Sequence, residues 1–160
     1  WAAAVGARYV SLDDLLSRSD VVTLHLPLGE ATRHLIAERE LGLMKPGAIL
    51  INTARGGIVD ERALCRALEE GRLAGAGLDV FEREPPDDSP LKALETVVLS
   101  AHIGSHTAEA VAAMGLTAAE SVIDALAGRL PKHLVNPAVY ARRRGVGGSP
   151  PGSAPARSST

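Results

Sequence analysis

Residues 48–57 read Ala48-Ile49-Leu50-Ile51-Asn52-Thr53-Ala54-Arg55-Gly56-Gly57. The first four are apolar without interruption, and the two isoleucines are β-branched. Such a short run predicts a strand, and its lack of alternation predicts burial on both faces, the mark of a parallel sheet covered by helices. The polar, glycine-ended segment that follows ends the strand and exposes an arginine at its carboxyl end.

Working outward, Val97-Val98-Leu99 repeats the pattern. Strands are expected at Arg8–Val10, Val21–His25, Ala48–Thr53, Gly75–Val80 and Val97–Ser100. Helical patterns lie between them. Ser11 with Asp14 three residues on opens one helix as a capping box. Ala37–Met44 forms another, stopped by Lys45-Pro46-Gly47. Asp60 caps Glu61–Glu70, where Leu64 and Leu68 share a face and Gly71 ends the helix. A longer helix starts near Thr107, and its stripe through Val111, Met114, Ala118, Val122 and Ala125 reads as a core face. The fold class is α/β, a doubly wound parallel sheet.

The chain has 160 residues, 46% apolar and 22% charged, consistent with one ordinary domain. No apolar run reaches the roughly 18 residues of a membrane span, so no membrane partner is expected. Cys65 is the single cysteine; it fits a reducing, cytoplasmic setting and reads as a small core residue. Four of the 17 basic residues (Arg142, Arg143, Arg144, Arg157) follow residue 140, where no acid occurs. The preceding part therefore carries 13 basic against 19 acidic residues, a net of −6. That sign repels a phosphate backbone, and the only aromatics are Trp1, Tyr9, Phe81 and Tyr140, so nucleic acid is excluded as a partner. Residues 141–160, rich in Arg, Gly, Ser and Pro, read as a disordered tail.

Ligands of open α/β sheets bind beyond the carboxyl ends of the strands. Those ends carry Leu26-Pro27 after the second strand and Arg55 after the third. Asp79 stands at the end of the fourth, with Glu84 shortly after it, and His102 follows the fifth. A guanidinium, a carboxylate and an imidazole thus reach one rim. Taken singly, each has a plainer reading. Arg55 could be a turn residue and Asp79 a strand-ending polar group. Glu84 sits in an acidic loop, and His102 alone is ambiguous. His25, His34, His106 and His133 read as surface or packing residues. Gly75-Ala76-Gly77 lies inside a strand and does not form a phosphate loop.

Taken together, Asn52-Thr53-Ala54-Arg55-Gly56-Gly57, then Gly77-Leu78-Asp79-Val80-Phe81 with Glu84-Pro85, then His102-Ile103-Gly104 resemble the signature blocks of the D-isomer-specific 2-hydroxyacid dehydrogenases, including the phosphoglycerate dehydrogenase-like members. Their order and spacing match over about residues 8–137. The resemblance implies a Rossmann-type domain that is incomplete, lacking the first two strands and the glycine-rich loop. Arg8–Val10 would be the third strand, left without its neighbours. Residues 1–140 would then be a partial dinucleotide-binding domain whose last helix runs back toward a substrate domain.

It also implies roles. Arg55 would hold the substrate carboxylate, His102 would be the acid/base, and Glu84 would bond the other ring nitrogen. Pro85 restricts Glu84 to extended backbone. Leu26, Pro27, Thr53, Ala54, Arg55, Asp79, His102 and Gly104 would line NAD, with NADP equally allowed, and no metal is implied. The expected activity is hydride transfer between nicotinamide and a small 2-hydroxy or 2-keto acid of 3-phosphoglycerate, hydroxypyruvate/glyoxylate or D-lactate type. The phosphoglycerate type is slightly preferred, in a protein that is a homodimer when complete. A chain without the glycine loop is expected to bind dinucleotide weakly and not to turn over. Ala101 departs from the proline usual before the histidine. A dinucleotide-sensing corepressor-like protein and an inactive fragment are the alternatives.

Overall fold

The computed structural model describes residues 2–136 and 138–141, so the expected tail from residue 142 onward lies outside the described residues. It divides into two units, residues 1–104 and 105–160.

In the first unit, α1 (Leu12–Arg18), β1 (Val21–Leu24), α2 (Glu38–Leu43), β2 (Ile49–Asn52), α3 (Glu61–Glu69), β3 (Gly75–Leu78) and β4 (Val97–Leu99) follow one another. The four strands form one parallel sheet in the order β1-β2-β3-β4. The α/β class and four of the five expected strands stand. Arg8–Val10 does not form a strand. A three-residue segment becomes a strand only by completing a neighbour's hydrogen bonds, and no described strand lies beside it.

Local signals act as the chemistry demands. Ser11 Oγ accepts from Asp14 N–H to cap α1, and Asp60 Oδ1 accepts from Ala63 N–H to cap α3. Gly47 and Gly71 take positive φ, 81° and 67°, where the chain turns out of helical structure and back toward the sheet. α1 packs on α2 and α2 on α3. The core lies between this helical layer and one face of the sheet: Leu16, Leu41, Leu64 and Leu68 meet Val22, Leu24, Leu50, Ala76 and Leu78. Cys65 is buried with them.

Burial on both faces does not hold. Side chains alternate along a strand, and the opposite face carries Val21, Ile49 and Val98, which is 75% exposed. The apolar run of residues 48–51 recorded a face that would be buried when covered; no helix of the first unit covers it.

In the second unit, Thr107 caps α4 (Ala108–Leu126), its Oγ1 accepting from Ala110 N–H. No residue of α4 is buried, and Met114 is 53% exposed. The stripe is therefore apolar but not a core face. Among the described residues no helix is long and apolar enough to cross a membrane.

Candidate active site

The register aligns Leu24, Asn52, Leu78 and Leu99 across the sheet. The residues that follow them, His25, Thr53, Asp79 and Ser100, begin the four rim segments. The ladder runs one step further: Asp79 N–H donates to Asn52 O, and Ser100 N–H donates to Leu78 O. Asp79 and Ser100 are thus lateral neighbours, and Ser100 Oγ donates to Asp79 Oδ1 at 2.6 Å.

Asp79 is 6% exposed. Besides Ser100 it accepts from Ile103 N–H at 2.9 Å and Gly104 N–H at 2.8 Å. Three of about four acceptor positions of the carboxylate are filled. The Ser100 hydroxyl, followed by the two backbone N–H groups, holds this carboxyl below its ordinary range against the opposing effect of burial. The residue just before those N–H groups, His102, sits at φ 54°. This left-handed conformation is uncommon for a side-chain-bearing residue and costs on the order of 1–3 kcal/mol unless its surroundings fix it. The Asp79 bracket supplies that fixing.

His102 Nδ1 lies 2.8 Å from Glu84 Oε2, while Glu84 Oε1 accepts from Phe81 N–H at 3.1 Å. The His102 bond is the main reason the Glu84 carboxyl lies below its ordinary range; the Phe81 N–H and the positive charge of Arg55 act in the same direction. The structure therefore joins Glu84 to His102 and brings Arg55 within electrostatic reach of the Glu84 carboxylate. The Glu84 bond engages Nδ1 and leaves the ring's other nitrogen, Nε2, outside that pair, on a side chain that is 45% exposed.

Arg55 stands on a turn that sequence reasoning passed over. Asn52 is 1% exposed. Its Nδ2 donates to Arg55 O at 2.9 Å and its Oδ1 accepts from Ala54 N–H at 3.1 Å. A buried amide at a strand end must find partners, and these partners shape the turn that presents the guanidinium. An asparagine ending an otherwise apolar strand was the available signal. In the structure Arg55 Nη1 donates to Ala54 O at 2.6 Å.

A cleft of about 580 Å³ opens between His25–Leu28 and Thr53–Arg55. Leu26, Pro27, Leu28 and Ala54 line it with apolar side chains, alongside His25, Thr53 and Arg55. That composition suits a flat heteroaromatic ring with one polar substituent. Of the residues expected to contact a cofactor, Leu26, Pro27, Thr53, Ala54 and Arg55 line this cleft, whereas Asp79, His102 and Gly104 are joined through the Asp79 bracket.

Comparison with known proteins identifies the family of the fold that carries this rim. The family model for the D-isomer specific 2-hydroxyacid dehydrogenase, NAD binding domain, matches residues 2–104. The chain belongs to this family. Among its relatives, a glyoxylate reductase of Thermococcus litoralis is 52% identical over 132 residues, covering 82% of this chain and 40% of the relative. A D-3-phosphoglycerate dehydrogenase of Methanocaldococcus jannaschii is 45% identical over 136 residues, covering 84% and 26%. The crystal structure of D-lactate dehydrogenase from Aquifex aeolicus, complexed with NAD and lactic acid, superposes with TM-score 0.73 at 38% identity, covering 79% of this chain and 43% of that one. The chain spans about two fifths of the length of the glyoxylate reductases it matches. As a member of this family, it is an NAD-binding domain with the α/β fold of the dehydrogenases.

Proposed function

We propose that the protein carrying this domain is an oxidoreductase interconverting a small 2-keto acid and the corresponding 2-hydroxy acid. The observation that carries the reading is the Glu84–His102 pair, held at the sheet rim within the field of Arg55. Leu26, Pro27, Thr53 and Ala54 would hold the nicotinamide portion of a dinucleotide, which supplies or takes the hydride when bound.

His102 is the acid/base. Glu84 at Nδ1 fixes that nitrogen as the proton-bearing one, so Nε2 is the atom that exchanges a proton with the substrate oxygen. Glu84 remains ionised because its carboxyl lies low, and it stabilises the imidazolium. Arg55 is the substrate anchor: a planar fork meets a carboxylate with two parallel bonds, orienting the neighbouring carbonyl. Asp79 serves first to hold the His102 loop, leaving about one acceptor position for a cofactor amide. The relatives named as glyoxylate reductases share more identity than the phosphoglycerate dehydrogenase. We therefore place unphosphorylated acids such as glyoxylate ahead of 3-phosphoglycerate, and a homodimer as the working assembly.

The test is a steady-state assay of the protein with glyoxylate, hydroxypyruvate and pyruvate, using NADH and NADPH. His102→Asn is expected to lower kcat by about 10²–10⁴-fold, and Arg55→Lys to raise KM for the keto acid, because a single ammonium cannot meet a carboxylate with two parallel bonds. Undiminished turnover by His102→Asn would remove the acid/base assignment. Dinucleotide binding without turnover of any keto acid by the protein would favour a sensor instead.

A further inference from the structure

Glu84 is only as well placed as the loop that carries it, and that loop, residues 81–85, has no regular secondary structure. Two glutamates outside the catalytic set tie it down. Glu82 Oε1 accepts from Glu61 N–H at 3.0 Å. In return Glu61 Oε1 accepts from Glu82 N–H. The residues are 21 apart in sequence, and the bonds close a ring between the loop and the first residue of α3. His34 Nε2 stands 3.3 Å from the same Glu82 oxygen without forming a hydrogen bond to it. Behind the loop, Gly56 lies so close that a Cβ there would fall 1.9 Å from the Phe81 carbonyl carbon.

The arrangement carries an electrostatic cost. Burial, and the charges of Glu82 and Glu84, push the Glu61 carboxyl up, partly offset by the Glu82 N–H it accepts. Three carboxylates crowded at one loop repel one another; the reciprocal backbone bonds hold them together regardless.

We propose that Glu61 and Glu82 are positioning residues that act through Glu84: each accepts the other's backbone N–H and thereby locks the Phe81–Pro85 loop where Glu84 meets His102. The proposal rests on the reading of Glu84–His102 as the acid/base pair. In a locked loop, Glu84 keeps the geometry that lets its oxygens reach His102 Nδ1 and Phe81 N–H together. With the clasp opened, the loop samples positions in which the His102 bond is lost.

The sign of one measurement separates this from a purely electrostatic role. Removing a neighbouring negative charge makes Glu84 easier to ionise, which moves its titration midpoint down. Loss of the His102 bond moves it up. Carboxyl-carbon NMR titration of the 160-residue chain is the experiment, each variant first being checked as folded by its melting transition. Glu82→Ala is expected to raise the Glu84 midpoint toward that of an ordinary glutamate. Glu82→Gln, which keeps the accepting oxygen and loses the charge, leaves it at or below the wild-type value. Should Glu82→Ala not fold, Glu61→Ala opens the other half of the ring and carries the same expectation, with Glu61→Gln as its rescue. An unchanged or lowered midpoint in the folded alanine variants overturns the clasp, and so does a glutamine variant that behaves like alanine. His102→Asn in the wild-type background is the control. If it leaves the Glu84 midpoint unmoved, the Glu84–His102 reading fails and the clasp falls with it. If it raises the midpoint while the alanine variants do not, the clasp alone fails.

Discussion

At Asp79 a single carboxylate gathers the Ser100 hydroxyl, just after β4, and the backbone N–H groups of Ile103 and Gly104, just after His102. The three donors are 2.6–2.9 Å away. Asp79→Asn leaves one accepting oxygen and turns an NH₂ toward groups that are themselves donors. Hydrogen bonds to a charged group contribute about 1.5–3 kcal/mol each, so a loss of roughly 2 kcal/mol in stability is expected, with His102 released from its positive φ. The pH dependence has a fixed sign. A carboxyl that is lower in the folded than in the unfolded chain adds stability above its unfolded value, about 3.9. That contribution disappears as the pH falls through the folded value. Melting temperatures taken across acidic pH should therefore show a steeper decline for wild type than for Asp79→Asn. Parallel curves would show that the bracket does not stabilise the fold.

Among the elements, the turn over residues 54–57 and the loop over 81–85 meet backbone to backbone, and Gly56 makes that approach possible. An added Cβ would fall 1.9 Å from the carbon and 2.0 Å from the oxygen of the Phe81 carbonyl. Backbone cannot rotate out of the way as a side chain does, so Gly56→Ala is expected to cost at least about 1–3 kcal/mol. At Gly57 the nearest atoms are side-chain ends, Leu28 Cδ2 at 3.2 Å and Arg33 Nη1 at 3.3 Å, and Gly57→Ala should be far milder. Chemical denaturation of the two variants checks the contrast; equal losses would refute the backbone argument.

The same elements show what a one-dimensional reading reaches. The strand at residues 49–52, the Asp60 cap and the Gly71 stop were legible because their signals are local: neighbouring apolar residues, an acceptor three positions before its donor, a residue tolerant of positive φ. Arg55, Glu84 and His102 stood out because topology sends strand ends to one rim. The Glu61–Glu82 ring and the Asn52 turn were not legible. Their bonds run from side chain to backbone and depend on three-dimensional proximity. Arg8–Val10 has the composition of a strand, but pairing is a property of two segments, and the composition of one does not supply the other.

For the molecule as a whole, the sheet presents two different faces. One is sealed by α1, α2 and α3; the other displays Val21, Ile49 and Val98 at 56%, 38% and 75% exposure. β1 and β4 end the sheet, so apolar side chains stand beside strand edges with unpaired backbone groups, a combination that promotes edge-to-edge association. Val98 is the residue to change, because it is the most exposed of the three and lies on an edge strand. Val98→Lys places a charge on that edge at little cost to the fold, since exposed substitutions ordinarily alter stability by no more than about 0.5 kcal/mol. Light scattering of the 160-residue chain over a concentration series should fall in this variant while its melting temperature holds. If scattering is unchanged, association does not proceed through the β4 edge. If the melting temperature drops sharply, Val98 has a buried role that its exposure denies, and the open face must be covered in solution.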